Sequence, residues 1–227
     1  IKKSVVYLLR SNFGEVVLMA SAIFAGLSSP LSTIQILWVN LLTDTAPSLA
    51  LGMDVGSDAV MNEKPRDVKA GILNRSDYLN IVIQGVISGG VTLLAFLLPV
   101  IMQYGTGNIL ANLSGNEELL KLCRTYCFST LAINEMLMAY VCKVKGSLAF
   151  TTKESWNNKT LNIITAIGIL LQIGILVVPP MRSLLKLAVV GASDIALILF
   201  IAVAGVLINA AITLAKERLD IKRERNL

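Results

Sequence analysis

Residues 36–52 read ILWVNLLTDTAPSLALG. The run is apolar enough to avoid water and makes up most of a segment, 33–51, of the length that crosses a bilayer, yet it carries Asn40, Thr43, Asp44 and Pro47 in its middle. A span needs about 20 mainly apolar residues at about 1.5 Å each to cover a hydrocarbon core of about 30 Å. Asp44 is therefore out of place, since a carboxylate at the bilayer centre costs at least about 2.5–3.5 kcal/mol unless something inside the protein compensates it.

The surrounding chain supports lipid as the solvent. Of 227 residues, 55% are hydrophobic and 15% charged, and the mean hydropathy of +0.70 lies outside the range of ordinary soluble domains. Six segments qualify as spans, at roughly 4–27, 33–51, 78–102, 119–142, 160–178 and 192–215. They are too long and too unalternating for barrel strands, and backbone amides in lipid must bond internally, so the segments are helices. The expected fold is all-α, a polytopic transmembrane bundle of six spans. Short connections make neighbouring spans antiparallel.

Sixteen of the twenty basic residues precede the first span, follow the last, or lie between spans two and three or four and five; Lys121, Arg124, Arg182 and Lys186 are left for the other side. Arg10 is counted here with Lys2 and Lys3, as a residue opening the first span. Short basic loops stay cytoplasmic, so both termini are expected there. The net charge of +5 is spread over membrane-flanking loops, without the aromatic-interleaved basic platform of a nucleic-acid binder. Cys123 and Cys127, four apart, and Cys142 read as small buried hydrophobes. The chain opens on Ile1 without a cleavable signal pattern, and is read as a piece of something longer. It has neither a glycine-rich phosphate loop nor strand–helix alternation, so no nucleotide domain is expected in it.

Twelve of the fifteen acids fall in loops, in tails or near span ends; Glu15 (in SNFGEVVLMASAIF, 11–24), Asp44 and Glu135 (in FSTLAINEMLMAYV, 128–141) do not. With no lysine or arginine assigned to the hydrophobic middle of a span, the acids are either protonated or hold a cation that comes and goes. Asn12 and Glu15 are three apart, and Asn40, Thr43 and Asp44 stand at i, i+3 and i+4, so each set shares a helix face. All offer oxygen, and a hard ion such as Ca²⁺ takes 6–8 oxygens from carboxylates, amides and backbone carbonyls. Pro47 has no N–H for the Thr43 carbonyl. TDTAP (43–47) is expected to be partly unwound, turning backbone into ligands as broken helices do in transporters. Singly, Asn12, Asn40 and Thr43 also serve as inter-helix hydrogen bonders, and Glu135 as a protonated donor.

SNFGEVV (11–17) followed by LWVNLLTDTAPSLALGMD (37–54) resembles the fifth and sixth membrane helices of P2-type ATPases, most closely the sarcoplasmic-reticulum type of calcium pump and its bacterial relatives. The likeness extends over NEKPRD (62–67), the acid of the fourth span and VPPMRSLLKL (178–187). It implies the last six helices of a ten-helix pump. Residues 1–52 would carry the main cation motifs, 53–77 a cytoplasmic coupling loop, 78–215 four further spans and 216–227 a basic cytoplasmic tail. The resemblance puts Asn12, Glu15, Thr43, Asp44 and Glu135 in one ion site, with Asp44 bridging to a second that also uses Asn40. An upstream helix would close that second site. Asparagine at position 40 leans to calcium over sodium/potassium pumps.

The implied partners are the lipid bilayer, the upstream helices, and the actuator, phosphorylation and nucleotide domains, which would bind Mg²⁺ and ATP; this stretch alone cannot hydrolyse ATP. The implied activity is Ca²⁺ export with protons returning on the emptied acids, since low dielectric disfavours a bare carboxylate. Mn²⁺ or a monovalent cation is the alternative within the family, and a passive channel or scaffold with protonated acids is the alternative outside it. The short loop from Tyr104 to Glu118 resembles bacterial members, hence a bacterial plasma membrane. Gly85 and Gly89 make a GxxxG seam for close helix approach, which the resemblance sets against Gly14.

Overall fold

In the computed structural model, residues 1–54, 71–144 and 150–225 are described, and among them every regular element is helical. Four are long: α1 (Lys2–Phe24), α4 (Arg75–Tyr104), α6 (Glu117–Lys143) and α10 (Ala192–Arg225), with α8 (Lys159–Val177) somewhat shorter. The second expected span is divided into α2 (Thr33–Trp38), a π-helical segment (Val39–Asp44) and α3 (Thr45–Gly52). Short helices α5 (Ile109–Ser114), α7 (Lys153–Trp156) and α9 (Pro179–Leu184) fill the connections. Most of the expected coupling loop and the last two residues lie outside the described residues.

The helix starts follow from local chemistry. Asn116 accepts from the Leu119 amide at 3.0 Å and Asn158 from that of Leu161 at 2.9 Å, occupying amides that open α6 and α8. The amide of Asn74 donates to Asp77 at 2.7 Å at the head of α4. Pro179, whose missing N–H is no loss in a first turn, opens α9.

Four described helices are long and apolar enough to cross a membrane: Lys2–Phe24, Arg75–Tyr104, Lys159–Val177 and Ala192–Lys216. The other two expected spans do not meet that measure. One is cut into three helical pieces, and the other, α6, carries too many polar and charged residues. Those are the segments that hold Asp44 and Glu135.

α6 runs through the middle of the bundle, in contact with α1, the π-helical segment, α3, α4, α8 and α10. α1 lies against α4, and the glycine seam explains why they come so close. A methyl group on Gly89 would stand 2.8 Å from the Gly14 carbonyl oxygen, and one on Gly85 would stand 3.3 Å from the Gly14 nitrogen. The backbones touch where side chains would part them. Cys123 and Cys127 are buried in the apolar cluster built around Phe96, Phe128 and Leu131, and Cys142 is half-buried.

One end of the bundle is tied by Asp54. It accepts from Lys3 at 3.0 Å and from Asn158 at 3.1 Å, and stands 3.5 Å from the Lys143 ammonium. Lys143, one of the basic residues between the fourth and fifth expected spans, is only 3% exposed and also donates to the Glu154 carbonyl at 2.6 Å. A lysine at the end of a central helix is enclosed by its neighbours and needs those partners.

Candidate functional site

α1 turns Tyr7, Arg10, Ser11, Gly14 and Leu18 inward, the register of one helix face. Glu15 flanks that face and is half-buried, whereas Asn12 is exposed and its amide donates to the Leu8 carbonyl of its own helix at 2.8 Å. Asn12 and Glu15, expected to enter the site together, are thus placed apart in this structure. Three residues span 300° of helix, so the pair lies 60° apart, and the glycine seam turns the Asn12 side of that arc outward.

Val39–Asp44 is widened into a π-helical turn where an unwound stretch was expected, and the chain continues as helix through Gly52. A π-turn lets the backbone pass Pro47, which cannot bond back, while keeping most carbonyls occupied. The Thr43 carbonyl, expected to be free, accepts the Tyr7 hydroxyl at 2.9 Å, and the Thr45 hydroxyl takes the Asn40 carbonyl at 2.9 Å. Tyr7 also reaches the Glu135 carbonyl at 3.3 Å, so a single phenol joins α1, the π-turn and α6.

Two of the acids meet a polar side chain of the π-helical segment. The Asn40 amide donates to Glu15 at 3.3 Å, and the Thr43 hydroxyl contacts a Glu135 carboxylate oxygen at 3.3 Å while donating to Val39 at 2.8 Å. Asp44 and Glu135 are 1% and 2% exposed. Asp44 is enclosed by its neighbours, yet neither of its oxygens has a hydrogen-bond partner. One oxygen each of Glu15 and Glu135 is likewise buried without a partner. Buried polar atoms are nearly always paired, so four such oxygens in one region are an acceptor set short of donors. They do not close into a ready cluster: among the described residues no group of three acidic or cysteine side chains stands at metal-holding spacing.

The expectation that no basic residue shares the interior is also corrected. Arg10 is 1% exposed, with its guanidinium carbon 5.4 Å from the centre of the Tyr7 ring and one Nη 3.4 Å from the Ser11 hydroxyl. The span that sequence starts at residue 4 already puts Arg10 more than one turn inside, and Arg10, Gly14 and Leu18 repeat at i, i+4 and i+8. That register marked the residue as internal. Tyr7 and Ser11, also missed, lie on the same stripe.

Of the six residues expected to ligate, Glu15, Asn40, Thr43, Asp44 and Glu135 are thus brought together and Asn12 is not. Oxygen is their only donor element, which suits a hard cation. The chain is 32% identical over 219 residues to Calcium-transporting ATPase 1 of Bacillus cereus, covering 96% of this chain and 24% of the relative. It is 32% identical over 194 residues to the Calcium-transporting ATPase of Bacillus subtilis (86% and 20%), and 35% identical over 114 residues to the Sodium/potassium exporting P-type ATPase cta3 of Schizosaccharomyces pombe (48% and 11%). It therefore spans about a quarter or less of the length of these relatives. The family described as "Cation transporting ATPase, C-terminus" matches residues 28–215, and the chain belongs to this family of cation-transporting ATPase C-terminal regions.

Proposed function

We propose that this chain is the cation-holding membrane part of an ATP-driven pump that exports Ca²⁺, with six spans, both termini cytoplasmic, and a bacterial plasma membrane as its home. The observation that carries the reading is four carboxylate oxygens of Glu15, Asp44 and Glu135 buried without donors, with Asn40 bonded to Glu15 and Thr43 to Glu135. A carboxylate set of this kind stays ionised in a membrane interior only with a positive charge among it.

Ca²⁺ supplies that charge as the transported substrate. Glu15, Asp44 and Glu135 bind it, Asn40 and Thr43 complete its oxygen shell, and helices upstream of this chain close it. Tyr7, holding three helices at one hydroxyl, lets a movement of α1 reach the π-turn and α6 together. ATP with Mg²⁺ acts in the phosphorylation, nucleotide and actuator domains of the parent protein. The 53–77 segment carries the coupling, and protons return on the acids after release. In the full-length pump, Asp44→Asn abolishes Ca²⁺-dependent phosphorylation from ATP; an unchanged calcium dependence refutes the assignment.

The relative named as a sodium/potassium exporter supports a second reading, a monovalent cation on the same residues. Mn²⁺ shares the oxygen preference. A metal-dependence curve of ATPase activity separates the three.

A further inference from the structure

Arg10 is the largest fully buried side chain among the described residues, and the transport reading gives it no task. Its backbone is held by the glycine seam, since a methyl group on Gly85 would stand 3.4 Å from the Arg10 carbonyl oxygen. The side chain lies among Tyr7 and Ser11 of α1 and Cys142 of α6. The Tyr7 ring that it faces carries its hydroxyl to the Glu135 carbonyl and to the carbonyl of Thr43, the residue before Asp44. The ion pairs among the described residues are Lys2–Asp77, Lys3–Asp54 and Lys143–Asp54, so Arg10 joins none of them, and its Nε has no hydrogen-bond partner.

A buried, incompletely bonded guanidinium is expensive to keep. As a helix-packing device it would be poorer than leucine. As a charge it makes sense, because a guanidinium stays cationic in any protein environment. With the ion bound and the acids ionised, three carboxylates bring three negative charges and Arg10 returns one, leaving two, the charge of one divalent ion. The side chain stands off from the carboxylates at more than ion-pair distance, so it offsets their charge without occupying their oxygens.

We propose that Arg10 is a resident counter-cation of the transport site, a specificity residue that sets the charge of this chain's acids to match one divalent ion. The inference rests on the calcium-pump reading. Removing the charge while keeping a polar side chain leaves the acids one unit more negative, which favours a trivalent ion over a divalent one. One unit charge within the same bundle corresponds to a change on the order of tenfold in that preference.

The test is equilibrium binding of Tb³⁺ and Ca²⁺ to the purified full-length pump, Tb³⁺ being followed by its luminescence and displaced by Ca²⁺. In Arg10→Gln the preference for Tb³⁺ over Ca²⁺ rises about tenfold, and Arg10→Lys restores the wild-type ratio. A wild-type ratio in Arg10→Gln overturns the proposal, because a packing role would not distinguish ions by charge. Should Arg10→Gln fail to fold, the double variant Arg10→Gln/Glu135→Gln, with the net charge restored, recovers folded pump; failure of the double variant as well overturns the proposal. Undiminished binding of both ions in Asp44→Asn refutes the calcium site itself, an outcome distinct from an unaltered ratio at Arg10.

Discussion

α6 and α8 lie side by side and answer to different solvents. α8 passes for a membrane span on length and apolarity, and it exposes Ile163, Ile167 and Leu170 on its outer face. α6 does not pass, and it is buried on nearly every face from Cys123 to Val141, carrying Thr125, Ser129, Thr130, Asn134 and Glu135. Hydropathy therefore reports what surrounds a helix. A peripheral helix must be apolar because lipid touches it, whereas a central one is solvated by its neighbours and is free to carry polar groups.

The contrast is broken most severely by placing a charge on the outer face of α8. Leu170 is 68% exposed, and Leu170→Lys should lower membrane insertion of the helix by about 3 kcal/mol, as measured by the fraction inserted during synthesis. Glu135, at similar depth in the sequence of its own helix, meets protein in place of lipid, with the Thr43 hydroxyl at one of its oxygens. Ready insertion of the Leu170→Lys helix would mean that α8 is not at the lipid boundary.

Crowding gives a second, smaller contrast. A side chain on Gly205 of α10 would start 2.8 Å from Val91 and 2.9 Å from the Asn134 amide of α6, whereas at Gly174 of α8 nothing lies within 4 Å. Gly205→Val should cost about 1–3 kcal/mol through overpacking, and Gly174→Val much less, in unfolding titrations from mixed micelles. Equal losses would contradict a tightly filled centre.

The smallest effect is expected where α8 touches α6 through a polar pair. Gln172 is buried and donates to the Ser129 hydroxyl at 3.4 Å, while its own oxygen has no partner. Gln172→Leu should change stability by about 0.6 kcal/mol, the usual worth of such a bond between membrane helices. A loss several times larger in the same titration would give this contact a role beyond packing.

The sequence by itself determined that the chain is helical and suited to lipid, that Glu15, Asp44 and Glu135 stand apart from the other acids, and that Gly85 and Gly89 mark a close approach. These rest on length, composition and spacing, which are properties of the chain alone. Which residues share the interior was decided by tertiary structure. The seam against α4 rotates α1 so that Ser11 and Arg10 face inward and Asn12 outward, and only a folded neighbour supplies the Tyr7 hydroxyl that takes up the Thr43 carbonyl. A helix offers its residues at 100° intervals. The direction of the inside is set by what packs against it.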